Sequence, residues 1–555
     1  MRRQAEENRS VKHIRAEAQL SAGPSHFIEI IASSHRMGTV TTLQKPAPPI
    51  QLNSIGRFGC VPALQYAALV AVLVPGSVIE AVRLESLGIA DSWFQLQVGN
   101  WIIAHRAVPH FGVFAQFSDL PWADPNWGLQ LVLAGLFSLI GMRALPVAVM
   151  VLRLLFAAMT FVLAGGRRGN FWPAVTLTLW AQAALVGSSP VPNTLCSAIL
   201  FAAELLLLLR SRAPDRHNLL FWVPLLILIW ANLDWRFVIG VAVFCLFCAA
   251  SAIEPYLQER HWHFCLLDRL PLRASQLGLA AAVSFIAAVA SPSSYHSYLT
   301  AWENLFGRSR LDNASIMKSL TFREPQHYLL TFLAMWAFLL LGRRHARDLF
   351  LVLVLAADVS LGFALGTDGW IAVVTSVAAI GELLLRTGIE ADQSAQVLGT
   401  VFKGAVAFAL VIVILAATRI PSSSEALLNL AARTLPVRAC DAIRKNHLPQ
   451  PIYNEMTWGG FLAWYLPEYP VAIDDRYELY GETKTKLYYD ITRGQAPPSS
   501  DLALMAANTI LVSPDNGIIK GADLFPNPEE MFRAALPGFH EVYRDDLAVI
   551  LSRQQ

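Results

Sequence analysis

Charge is what this sequence has least of. Only 15% of its 555 residues are charged, against about 25% in an ordinary soluble domain, and that deficit excludes a water-soluble globular chain. The net charge of +2 is small for the length, and no basic stripe with interleaved aromatics occurs, so no nucleic-acid partner is expected. Six cysteines are scattered along the chain. The one close pair, Cys245 and Cys248, lies in the apolar run "VAVFCLFCAA", where cysteine acts as a small hydrophobe. Neither a disulfide framework nor a metal site follows from that spacing. GxGxxG and Walker sequences are missing, so nucleotide binding has no support, and no ligand cluster implies a metal or another cofactor. No small-residue cleavage site follows the first apolar segment, near 59–79, which is too long for a signal-peptide core and is expected to stay as an anchor.

Apolar residues fill the space that charge leaves. They make up 55% of the chain, and the mean hydropathy is +0.44, which describes an integral membrane protein. Apolar runs approaching the roughly 20 residues needed to span hydrocarbon fall near 59–79, 127–142, 145–165, 171–188, 194–210, 218–234, 237–253, 276–291, 326–342, 348–365, 369–386 and 402–418. Residues 1–56 carry seven Arg/Lys against four Asp/Glu and the Pro-rich "QKPAPPIQ". They read as a flexible tail kept in the cytoplasm by the positive-inside rule. The chain thus divides into a tail at 1–56, a multispan membrane domain at 57–418 and a soluble domain at 419–555. The last part holds 17 of the 41 acidic residues and no spanning run. Its short β-type runs ("PIYN", "PVAID", "NTILVS", "EVYRDDLAVILS") alternate with helical ones ("GETKTKLYYDIT", "PEEMFRAAL"), which predicts an α/β layer able to fold by itself. The expected fold class is an α-helical polytopic bundle of about 11–13 spans with a C-terminal α/β domain.

The loop between the first two runs, about 80–126, opens with "ADSWFQLQVGNWIIAH". Phe94, Val98, Trp101, Ile102 and His105 recur at helical spacing there, with Gln95, Gln97 and Asn100 on other faces. That pattern suits a helix lying in the membrane interface and anchored by tryptophan. Asp91 begins it. One reading makes Asp91 the N-cap; the other makes it a general base for a substrate arriving from the bilayer.

Three islands carry a family resemblance. The loop "DSWFQLQVGNWIIAHRAVPHFGVFAQFSDLPWADPNWGLQL" resembles the first outer loop of the C-type integral membrane glycosyltransferases, in the bacterial polyprenyl-phosphate-sugar-dependent group related to the dolichyl-phosphate-mannose mannosyltransferases. "IWANLDWRFVIG" and "NEMTWGGFLAWYLPEYPVAIDDRYELYG" resemble later motifs of that group. The likeness implies a bundle that holds a lipid-linked sugar donor, a glycan, lipid or protein acceptor on the outer side, and Asp91 as the base that takes the acceptor's proton. The chain departs from the pattern: Gln95 stands where the group has His, Gly112 and Val113 near a second loop acid, and Asn126 where it has Glu before Trp127. Asp119 and Asp124 stand at shifted positions, and Asp124 is a candidate acceptor contact.

A departing lipid phosphate needs cationic partners. Arg236 in "ANLDWRF", Arg323 in "TFREP" and His296 in "SPSSYHSY" are the candidates, and each reads equally as an interfacial anchor or a local ion pair. Asp474, Asp475 and Arg476 in "AIDDRYELYG" end an expected strand, where α/β layers form sites. They read either as acceptor contacts or as a salt-bridged loop. A noncatalytic carrier of lipid-linked glycans, or a scaffold, is the competing class. Carriers favour charges within spans, and Asp358 and Asp368 are the residues that point that way.

Overall fold

A computed structural model describes residues 57–116, 118–185, 191–213, 215–259, 274–306, 319–343, 348–385, 395–516 and 536–553. The 1–56 tail and most of the expected "PEEMFRAAL" helix lie outside them. Seven described helical stretches are long and apolar enough to cross a membrane. Three shorter apolar helices, His217–Ala231, Ser275–Val289 and Leu349–Ala364, share their core. The chain is therefore a multi-pass membrane protein. At the centre stands Trp370–Leu385, "WIAVVTSVAAIGELLL", which is apolar on every side and accordingly buried on every side.

The run at 127–142 departs from the expectation of a separate span. Its helix, Trp127–Ile140, is fastened at both ends to one layer. At its start the Trp127 indole N–H donates to Asn232 Oδ1 at 2.8 Å. Beyond its end, after a turn at Gly141 (φ +62°), Arg143 Nε donates to the Pro421 carbonyl at 3.0 Å. Phe137 in between meets Trp464, with ring centroids 6.4 Å apart. Trp127–Ile140 and Ala144–Leu163 belong to one apolar stretch, which counts as a single candidate span where hydropathy counted two. The loop and the C-terminal segment lie against each other. Thr434 Oγ1 donates to the Gly88 carbonyl at 3.0 Å, beside Asp91, and the Gln116 and Val471 amide N–H groups donate to Val471 and Phe114 carbonyls.

The C-terminal segment carries a four-stranded sheet of order β1-β2-β4-β3: β1 Ile452–Asn454, β2 Thr509–Val512, β3 Phe539–Arg544 and β4 Val549–Arg553. β1 and β2 are parallel, and the other pairs are antiparallel. Parallel neighbours need a crossover. Here it runs through Gly459–Tyr465, Tyr477–Thr492 and Leu502–Ala506. "PVAID" is not a sheet strand; Val471 forms an isolated bridge with Ala115 of the loop. The run is tied to β1 by a side chain instead of a ladder: the Ala472 N–H donates to Asn454 Oδ1 and Asn454 Nδ2 donates to the Ile473 carbonyl, both at 2.8 Å.

The loop helix Ala90–His105 is not an interfacial surface helix. Trp93 and Leu96 enter the bundle core, while Phe94, Val98 and Ile102 enter a second core shared with Tyr453, Ile473 and Ile510. Trp93 and Trp464 rings lie 4.2 Å apart. Two glycines of "WGG" permit this: a Cβ on Gly460 would sit 2.8 Å from the Ala90 carbonyl oxygen, and one on Gly459 2.5 Å from Asp474 Cβ. The Gly459–Tyr465 helix is thereby pressed against both the Asp91 helix and the "DDR" segment. Gly99 does the same toward Trp127–Ile140, since a Cβ there would stand 2.2 Å from the Gln130 carbonyl oxygen.

Candidate active site

A cavity of about 630 Å³ opens where the loop, the bundle and the C-terminal segment meet. Asp91, Arg236, Asp474, Asp475 and Arg476 all line it, although they come from three segments separated by more than a hundred residues each.

Asp91 is the second residue of its helix. The N-cap position belongs to Ile89, which is extended and has no capping side chain. The N-cap reading therefore fails locally: a residue inside the first turn does not accept from the N2 or N3 amides as a cap does. Asp91 is half-buried, and Gln95 Nε2, one turn on, donates to its Oδ1 at 3.3 Å.

Arg236 lies between two carboxylates. Its Nε donates to Asp368 Oδ1 at 2.7 Å and its Nη1 to Asp234 Oδ2 at 3.0 Å. Ser197 Oγ donates to Asp234 at 2.5 Å, and the Trp370 indole donates to Asp368 at 2.9 Å. A buried charge is tolerated only when paired and hydrogen-bonded, and both acids meet that condition. Asp368, an intramembrane acid in the sequence reading, is thus a partner of Arg236.

Arg476 is gripped by one carboxylate where Arg236 has two. Nε and Nη2 grip Asp474 at 2.9 and 2.6 Å, and its guanidinium lies 4.8 Å from both the Phe94 and Trp122 ring centroids. Burial works against its charge, but Asp474's opposite charge and bonds hold its pKa above the usual arginine range. Nη1 is buried and meets no hydrogen-bond acceptor. Tyr480 donates its hydroxyl to Asp474 at 3.1 Å, and burial first, then Asp474, keep that phenol protonated. The Trp122 indole donates to Glu478 at 3.0 Å, which brings a further carboxylate to the cavity wall.

The remaining candidates stand apart. Asp124 is fully buried behind the wall, where Asn126 N–H (2.9 Å) and Gln130 Nε2 (3.2 Å) donate to its Oδ1. Burial pushes its carboxyl up to about 7 in spite of those bonds. Asp119 and Arg323 are exposed and outside the lining. His296 is exposed too, stacked on Tyr295 at 4.1 Å. Asp358 is buried within Leu349–Ala364 and accepts from Thr375 Oγ1 at 2.6 Å.

No protein-family model and no curated protein matches the chain. Among solved structures it is similar to ArnT from Cupriavidus metallidurans bound to undecaprenyl phosphate, with a TM-score of 0.46 and 12% identity, covering 90% of this chain and 98% of that one. The apo state of the same protein gives a TM-score of 0.41 and 13% identity over the same shares.

Sequence reasoning missed several lining residues: Gln130, Glu478, Asn304 and His327. Glu478 follows the "DDR" run by two positions and faces the cavity from the first turn of Tyr477–Thr492, so the helical pattern there held a usable signal. Gln130, Asn304 and His327 are single polar residues in apolar or mixed helices, with no spacing that marks them.

Proposed function

We propose that the protein is a membrane glycosyltransferase that moves a sugar from a polyprenyl phosphate to an extracytoplasmic acceptor, in a bacterial cytoplasmic membrane with the loop and C-terminal segment outside. What supports this reading is the convergence of Asp91, Arg236, Asp474, Asp475 and Arg476 on one cavity at one face of a multispan bundle. Each comes from an island of family-like sequence. In the reaction, Asp91 takes the proton of the acceptor hydroxyl as its oxygen attacks the anomeric carbon from the face opposite the phosphate. The C–O bond to phosphate breaks, the electron pair leaves with the phosphate oxygen, and the sugar centre inverts. Arg236 has its charge matched by Asp234 and Asp368, so Arg476 Nη1, with no bond of its own, is the better placed donor to the departing phosphate. Asp475 and Glu478 are left to hold acceptor hydroxyls.

The test is Asp91→Asn in a strain whose surface glycan profile changes when the gene is deleted. An amide keeps the shape but accepts no proton. Folded protein should stay at the native amount while transfer falls by about 10²- to 10⁴-fold; an unchanged glycan profile sinks the assignment. A noncatalytic carrier is the second reading, favoured by Glu204 and Asp358, two acids buried within the bundle. Mass spectrometry of lipid bound to the purified protein separates the two: a polyprenyl-phosphate monosaccharide supports the enzyme, an intact lipid-linked oligosaccharide the carrier.

A further inference from the structure

Behind Asp91 runs a chain of side-chain hydrogen bonds that ends on a second, hidden acid. Gln95 Nε2 donates to Asp91 Oδ1 at 3.3 Å, Gln130 Nε2 donates to Gln95 Oε1 at 2.8 Å, and the same Nε2 donates to Asp124 Oδ1 at 3.2 Å. Gln130 and Asp124 are completely buried and Gln95 almost so. The direction of donation is fixed by the far end. Asp124 Oδ1 already receives the Asn126 N–H at 2.9 Å, so it presents an acceptor to Gln130, whose amide N–H₂ must turn toward it. That same N–H₂ reaches Gln95 Oε1, which leaves Gln95 only its donor side for Asp91. The backbone sets the spacing: Gly99, one turn beyond Gln95, lets Trp127–Ile140 come close enough at Gln130 for the two amides to meet. Asp124 is held in turn by Ser293 Oγ, which donates to its carbonyl at 2.9 Å.

The geometry points to Asp124, Gln130 and Gln95 as a positioning relay that orients the Asp91 carboxylate, with Asp124 acting from behind the cavity and not as an acceptor contact. This rests on Asp91 being the base. Amides hold orientation without passing a proton, so the relay fixes the Asp91 carboxylate through its Oδ1. The helices packed against Asp91's own, Trp127–Ile140 and Gly459–Tyr465, carry no charged residue. The charged and titratable groups that share the cavity with Asp91 are Arg236, His327, Asp475, Tyr477, Glu478 and the Arg476–Asp474 pair, and none of these is altered below.

The test labels the detergent-purified full chain with an apolar carbodiimide, which reacts with protonated carboxyls, and reads Asp91 by peptide mass spectrometry across pH. Gln130→Met lies two bonds from Asp91 and touches no cavity charge. A carboxylate that loses an aimed N–H donor holds its proton more readily, so the half-labelling pH of Asp91 should rise by roughly 0.5 to 1 unit in Gln130→Met and in Gln95→Met. Asp124→Ala should raise it as well, and the conservative Asp124→Asn, which keeps the acceptor, should leave it at the native value. If Gln130→Met does not give a monodisperse protein, the Asp124→Ala and Asp124→Asn pair carries the same comparison. Native half-labelling pH in folded Gln95→Met and Asp124→Ala overturns the relay. The labelling needs no donor or acceptor substrate: a shift beside a normal Asp91→Asn glycan profile would keep the relay and remove the catalytic reading, and the reverse pattern would do the opposite.

Discussion

Asp91 and Asp124 are two loop aspartates with opposite surroundings, one on the cavity wall and one sealed behind it. For Asp124 the folded-state value near 7 lies above the 3.8 of an open chain, with burial as the leading cause. The folded protein therefore keeps a proton that the unfolded chain sheds. Stability from this group is complete below about pH 4, drains as pH rises toward 7, and is level above. Asp124→Asn removes the titration, so thermal melts of the two proteins in detergent should diverge in favour of Asn from pH 4 to 7 and run parallel beyond, by on the order of a few kcal/mol at most. A constant offset across that range would refute the titration. At this scale the sequence disclosed Asp91, Arg236, Asp474, Asp475 and Arg476, because they sit in motif-like runs such as "DDRYELYG", but not Glu478 in that same run. It did not disclose Gln130 or His327, since a lone polar residue in an apolar helix has the same appearance whether it faces lipid, core or cavity.

Helices and strands were legible where local pattern decides them. The 477–492 helix and the 509–512 strand follow from periodicity and β-branched content. Trp127–Ile140 was misread because hydropathy measures apolar content, and a helix wedged between Ala90–His105 and the bundle is as apolar as one in lipid. The interfacial reading of Ala90–His105 failed for a related reason: its polar residue Gln95 is accommodated by the Gln130 amide and the cavity as well as it would be by water. The close approaches that fix these helices give a direct prediction. Gly460→Val drives a branched side chain into the Ala90 carbonyl, a backbone atom that cannot swing away. It should destabilise at the upper end of the roughly 1–3 kcal/mol typical of overpacking, or beyond it. Gly278→Val, which meets open space, should cost no more than a helix glycine replacement, within about 1 kcal/mol. Equal melting temperatures for the two variants would contradict the interlock.

For the molecule as a whole, a shared face for the loop and the C-terminal segment requires an even number of crossings between them, and so an odd total once the first span is counted. Twelve hydropathy peaks could not give that parity; merging the two in 127–163 does. A periplasm-active reporter inserted at exposed Asp119 and another fused after Arg553 should both be active, and cytoplasm-active versions of both silent. Opposite signals at the two positions would break the proposed topology, whichever face is outside. The expectation that the last 135 or so residues fold by themselves meets a different picture, because their core is completed by Phe94, Val98 and Trp122 of the loop.

That shared core also sets a clock. The loop helix emerges from the ribosome early, yet Val471, Gly460 and Arg476, which cover it, arrive roughly 350 residues later, or about 20 to 70 seconds at ordinary translation rates. Throughout that interval Trp93, Phe94 and Trp122 have no native partner from the C-terminal segment, and the cavity has only two of its three walls. A message cut short between the last candidate span, which ends at Thr418, and "WGG" thus yields the spans without the third wall of the cavity, and leaves an aromatic face bared. The fold makes the arrival of its last quarter the condition for a closed cavity.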